Sequence, residues 1–249
     1  MSKLCAYCKL PNRMSREHIW PNGFQRRGKF EIKYSARAGR TFQGDLIVRD
    51  VCEPCNNGPL SLLDAYACTL YDTNFGRFPE HLESVAFIYD YGRLLRWLIK
   101  IAFNTARANG NQDAELLGQY RGSLVADADN IPIYATAYVA LTGPGSLDFY
   151  GRPRRKIYPQ VARSGPIILP GVDGYQHVIT RVVMINAYLF TLIVSRTPKV
   201  PAREVVALLQ RVPGEPLALE GRMELFTSLN ANQVLDGIRN WPRGTGGKH

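Results

Sequence analysis

Two pairs of cysteines, "CAYC" at positions 5–8 and "CEPC" at 52–55, carry the most specific chemistry in this chain of 249 residues. Each pair separates its thiols by two residues, a spacing that lets one turn of backbone present both sulfurs to a single ion. Four thiolates suit tetrahedral Zn2+, which binds sulfur well and imposes no geometry of its own. The spacing predicts a structural zinc on Cys5, Cys8, Cys52 and Cys55 rather than disulfides, in a chain that reads as cytoplasmic. The fifth cysteine, Cys68 in "DAYACTLY", reads as a small buried residue.

Between the pairs lies "SREHIWPNGF", which sets Glu17 beside His18 in a chain with only four histidines. An imidazole is suited to take a proton from water near neutral pH. Directly after the last cysteine come Asn56 and Asn57. Carboxylate and amide oxygens suit a hard cation such as Mg2+ or Mn2+, whereas the four thiolates suit zinc, so two metals in two tasks are expected. Glu17 and one of the two asparagines would then hold the cation over a scissile phosphate while His18 activates water.

These groups need a frame. "SREHI" reads as the end of one strand, and "FEIKYSAR" or "TFQGDLIVRDV" supplies the next, with glycines at 23, 28, 39 and 44 marking turns. After Cys55, Asn57 or Gly58 is a candidate helix cap, Pro59 suits a first turn, and Leu60, Leu63 and Ala67 share one face. A unit over residues 1–75 follows, leaving through "TNFGRFP".

The succession of "CAYC", "SREHIWP" and "VCEPCNNGPLSLLD", over residues 5–67, resembles the HNH endonucleases, whose fold is a ββα-metal hairpin and helix. Members commonly carry a zinc-binding cysteine pair on each side of the hairpin. The resemblance implies that His18 is the general base and Glu17 a ligand of the catalytic Mg2+ or Mn2+. It makes Asn56 the residue that completes the metal site, with Asn57 as substitute. The family's central Asn, usually a few residues before the second cysteine pair, is missing. In that place "GDLIVRDVC" offers Asp45 or Asp50 for its orienting task.

Residues 76–249 read as a larger α+β domain for substrate selection, dimerisation or regulation, the chain as a whole being α+β. "GRLLRWLIKIAFNTARANG" predicts a helix with Leu94, Leu95, Leu98, Ile101 and Ala102 in a stripe, and "AELLGQYRGSLVAD" a second. "IPIYATAYVALTG" and "HVITRVVMINAYLFTLIVS" read as strands, "PAREVVALLQRV" at 201–212 as a helix, and the tail as loose.

The excess of 31 Lys and Arg over 21 Asp and Glu, a formal charge of +10, favours a phosphate-rich partner. "GRPRRKIYPQVAR" concentrates it: Arg152, Arg154, Arg155 and Lys156, near Tyr150 and Tyr158, are candidates for contacting phosphates and stacking bases, or form a solvated loop. No stretch is long and apolar enough for a membrane span. DNA is the expected partner ahead of RNA, with a homodimer open. A zinc-stabilised nucleic-acid-binding protein that does not cut shares the charge and the cysteines. A zinc module for protein contacts shares only the cysteines.

Overall fold

The computed structural model describes residues 3–28, 33–35, 40–42, 46–126, 134–147, 152–158, 162–166, 178–195 and 212–230. The chain is α+β, and its described residues fall into two compact units. The first holds residues 3–69 and 92–126; the second holds 70–91 and the described residues from 134 to 230.

The first unit starts with the turn that carries Cys5 and Cys8, then strand β1 (Met14–His18) and helix α1 (Asn22–Arg27). A short hairpin of β2 (Lys33–Ser35) and β3 (Arg40–Phe42) precedes β4 (Ile47–Cys52), which pairs antiparallel with β1. Of the two segments offered as partner for "SREHI", "TFQGDLIVRDV" is the one that supplies it. The register runs from Met14 opposite Cys52 to His18 opposite Ile47 and slips between Ser15 and Glu17. Arg49 and Asp50 of β4 therefore stand opposite Arg16, a bulge that bends the hairpin.

Helix α2 (Glu53–Cys55) begins inside the second cysteine pair, with Cys52 at its N-cap and Pro54 in its first turn. This moves the start ahead of the expected cap at Asn57 or Gly58. The cause is Pro54, whose missing N–H costs nothing in a first turn. The helical path continues through a wide turn at Asn56–Leu60 and kinks at Gly58, whose φ is −100° and ψ −111°. Pro59 disfavours the α conformation in the residue before it, and glycine accepts the alternative at low cost. Helix α3 (Ser61–Leu70) follows, with Leu63 and Ala67 buried.

Helix α4 (Tyr91–Asn109) realises the expected stripe, since Leu94, Leu95, Leu98, Ile101 and Ala102 are all buried. Its polar residues Arg96, Lys100, Asn104 and Thr105 are buried too, so from Gly92 onward it forms the centre of the first unit rather than a surface helix. Trp97 packs against Trp20 and against Phe24 of α1. The second expected helix is broken into α5 (Ala114–Leu117), a 3-10 turn, and α6 (Arg121–Val125).

The second unit is built on a mixed sheet. Its strands are β5 (Ser84–Ile88), β6 (Ala135–Gly143), β9 (Ala162–Pro166), β10 (Val178–Ile185), β11 (Tyr188–Ser195), the short β12 (Glu215–Pro216) and β13 (Arg222–Asn230). A separate ribbon pairs β7 (Gly145–Leu147) with β8 (Pro153–Ile157). The main order is β5-β13-β6-β11-β10-β9, and β6 shares one edge between β12 and the parallel β13. That sharing needs Gly214, whose φ is +91° and where a Cβ would lie 2.1 Å from the Val139 carbonyl oxygen. The β10–β11 hairpin turns at Asn186, which takes a left-handed φ of 50° that Asn tolerates better than most residues. Its side chain donates to the Phe75 carbonyl (2.8 Å) and the Tyr71 hydroxyl (3.3 Å). Phe75, Phe87, Tyr188 and Phe190 pack on one another with ring centroids 5.0–6.5 Å apart. Apart from Val212, the helix expected at 201–212 lies outside the described residues, as does the tail.

Candidate functional site

The pairing of β1 with β4 brings the two cysteine pairs together, because Met14 opposite Cys52 seats the turn of residues 5–8 against the start of α2. The Ala6 N–H donates to the Asp50 carbonyl (2.7 Å) and fixes that turn from below. All four sulfurs lie within 4.8 Å of one another, with Cys8 and Cys52 at 3.6 Å. Thiolates around one tetrahedral zinc would stand roughly 3.8 Å apart, given Zn–S bonds of about 2.3 Å. The donor set fits, and these four side chains can hold a metal ion such as zinc.

The protonation chemistry agrees. Burial pushes the Cys55 thiol up, and the neighbouring sulfurs of Cys52, Cys5 and Cys8 add to it. Burial also opposes the Cys5 thiolate, but N–H groups of Cys52, Cys8 and Tyr7 outweigh it and bring that pKa down to about 7. Sulfurs gathered this closely resist sharing negative charge until a cation neutralises them. The turn closes at Lys9, whose backbone takes a left-handed φ of 62° while its N–H donates to the Cys5 carbonyl (3.1 Å).

Asn56 sits at the start of the wide helical turn and reaches back to β1. Its amide nitrogen donates to the Ser15 hydroxyl (2.9 Å) and to the Arg16 carbonyl (3.0 Å), while the Ser15 hydroxyl donates to the Val51 carbonyl (2.9 Å). Strand, strand and helix are tied at one point, two residues from His18. Asn57 is exposed, and its carbonyl accepts the Ser61 hydroxyl (2.8 Å). Of the two asparagines, Asn56 is the one that meets the strand of His18.

His18 ends β1 half-buried. Glu17 points to the interior and is 3% exposed. Its Oε1 lies 2.6 Å from the ammonium of Lys100, which is fully buried, and accepts the Asn104 amide at 3.2 Å. Lys100 also meets Asp64 of α3 at 2.6 Å. Asn104 in turn accepts the Tyr7 hydroxyl (2.6 Å) and Arg107 (2.5 Å). Arg107 lies over the Tyr7 and Phe103 rings, 5.4 and 4.5 Å from their centroids, and pairs with Asp50 at 2.6 Å. No family model, curated protein or solved structure matches the chain.

Glu17, which the resemblance nominates together with Asn56 for a catalytic Mg2+ or Mn2+, does not fit that ion in this structure. The Glu17 carboxylate already faces an ammonium, and a divalent ion set beside Lys100 in a low-dielectric interior would be repelled. Among the described residues, no second group of three or more His, Cys, Asp or Glu side chains gathers around a point.

Asp50 pairs with Arg107, which lies over the Tyr7 ring of the first cysteine turn, and Asp45 lies outside the described residues. In the other unit, Arg152, Arg154, Arg155 and Lys156 are exposed on and beside β8. Lys156 is engaged by Glu80, which also accepts the Tyr158 hydroxyl (2.5 Å). Tyr150 lies outside the described residues.

The residues the sequence reading missed are Lys100, Asn104 and Arg107, with Tyr7 and Asp64 as partners. Their signal was present: Lys100, Asn104 and Arg107 fall at i, i+4 and i+7, a polar line that Arg93 and Arg96 continue toward the start of the helix.

Proposed function

We propose that the N-terminal unit is a zinc-braced phosphodiester hydrolase of the HNH kind, acting on nucleic acid and on DNA ahead of RNA, with His18 as its general base. The observation that carries this is the junction of β1, β4 and α2. The four-cysteine cluster clamps the two strands at one end, and Asn56 ties the helix to β1 two residues from the histidine. A base that must take a proton from water at a phosphorus centre needs this kind of fixed backbone, since a displacement of about 1 Å costs roughly a hundredfold in rate. In this reading His18 accepts the proton of the attacking water as the new P–O bond forms, and the departing oxygen takes a proton from solvent. The formal charge of +10 draws the polyanion.

A second reading is favoured by the Glu17–Lys100 pair and the missing central Asn: a zinc-stabilised nucleic-acid-binding protein that does not cut. Plasmid nicking by zinc-loaded protein with Mg2+, Mn2+ or EDTA separates the two, wild type beside His18→Ala. Cleavage that His18→Ala abolishes with zinc content and circular dichroism unchanged supports the hydrolase. Salt-sensitive DNA binding with no cleavage under any condition selects the binding protein. Unfolding of His18→Ala assigns the histidine a structural role.

A further inference from the structure

We propose that Glu17 is a positioning residue whose cation is the ammonium of Lys100 and not a bound divalent ion. Two carboxylates from different elements, Glu17 of β1 and Asp64 of α3, converge on one nitrogen of α4 at 2.6 Å each. The ammonium is completely buried and Glu17 nearly so. A fully dehydrated lysine is stable only with counter-charges of this quality, and the two acids satisfy that demand.

Glu17 also takes the Asn104 amide, and Asn104 takes the Tyr7 hydroxyl from the first cysteine turn. An unbroken polar chain thus runs from the metal-binding turn through α4 to the last residue before His18. Side chains alternate across a strand, so fixing Glu17 inward fixes the opposite direction for His18. The carboxylate sets the base's direction, and the lysine holds the carboxylate. That the residue so aimed is a base rests on the hydrolase reading; the ion pair itself does not.

Three measurements on zinc-loaded full-length protein test the assignment, two of which need no activity. In urea unfolding, Glu17→Gln and Lys100→Met each lower the midpoint, and the double variant falls by clearly less than the sum of the two, because the pair leaves together. In Mn2+ titration followed by electron paramagnetic resonance, Glu17→Gln keeps the wild-type affinity within twofold, or neither protein binds Mn2+. In plasmid cleavage, Lys100→Met lowers turnover as far as Glu17→Gln does and the double variant no further, with KM for DNA unchanged. A ligand role for Glu17 would spare the turnover of Lys100→Met.

Additive losses in urea overturn the proposal, as does an Mn2+ affinity that drops tenfold or more in Glu17→Gln, or a Lys100→Met variant that turns over like wild type. If wild type cleaves no substrate, the hydrolase reading fails by that result alone. The unfolding and Mn2+ arms then still decide what Glu17 serves.

Discussion

The two units bury different kinds of matter at their centres. Around α4 the first unit encloses an ammonium, a carboxylate, an amide and a tyrosine hydroxyl, each with a named partner. The second encloses chiefly aromatic and branched side chains, with Phe75, Phe87, Tyr188 and Phe190 packed on one another, and a scattered polar set that includes Asn74, Arg181 and Asn186. Charged groups in a dry interior tolerate few arrangements, whereas apolar packing tolerates many of similar volume. The convergence of Glu17 and Asp64 on Lys100 therefore places tight geometric demands on the unit that holds His18.

The comparison breaks most visibly by cutting the first unit short. A fragment of residues 1–75 keeps all four zinc-binding cysteines but loses Trp97, Lys100 and Asn104, leaving Glu17 and Tyr7 with no buried partners. It is expected to remain without fixed tertiary structure even with zinc, read by near-ultraviolet circular dichroism. A folded, zinc-bound fragment would show that α4 is dispensable.

In the second unit the corresponding blow is Phe87→Ala. Phe87 is fully buried and stacks on Tyr89 at 4.6 Å, so truncation should cost about 3–5 kcal/mol of that unit's stability in urea. The zinc content should not change.

The next effect depends on pH and belongs to the first unit alone. Burial pushes the Asp64 carboxyl up to about 6, against the pull of Lys100 and with Glu17 adding to the rise. In the unfolded chain an aspartate titrates near 3.9, so between roughly pH 4 and 6 the native state holds a proton that the unfolded state has released. Stability from this group therefore falls as pH rises through that window, by up to about 3 kcal/mol. Asp64→Asn should flatten the slope, checked by urea midpoints across pH 4 to 7. An unchanged slope would remove Asp64 as its source.

The smallest test strengthens the first unit. Lys9 sits exposed at a φ of 62°, where an L side chain costs roughly 1–2 kcal/mol that glycine avoids. Lys9→Gly should raise the midpoint by about 1 kcal/mol without touching a cysteine. A loss would mean that the lysine side chain contributes more than its backbone costs.

Much of this was legible in order along the chain. Cysteine spacing announced the cluster, the strand of "SREHI" and its partner were readable, and the apolar period of residues 92–110 gave α4. Two features were not. The kink at Gly58 needs both the proline after it and a helix already begun at Glu53, and local signals for a cap at Asn57 pointed elsewhere. The role of α4 was hidden because Asn104 and Glu17 stand 87 residues apart, and hydrophobic periodicity reports which side of a helix is apolar, not which polar atoms find partners inside.

The first unit is also discontinuous: residues 70–91, which belong to the other unit, separate α3 from the body of α4. During synthesis the metal-binding turn, β1 and β4 leave the ribosome well before the lysine that Glu17 and Asp64 require. At about 5–20 residues per second that interval lasts several seconds. For that time the cysteines are the one part of the unit able to close on itself, and an early zinc would hold the hairpin in register while two carboxylates, still hydrated, wait for their ammonium.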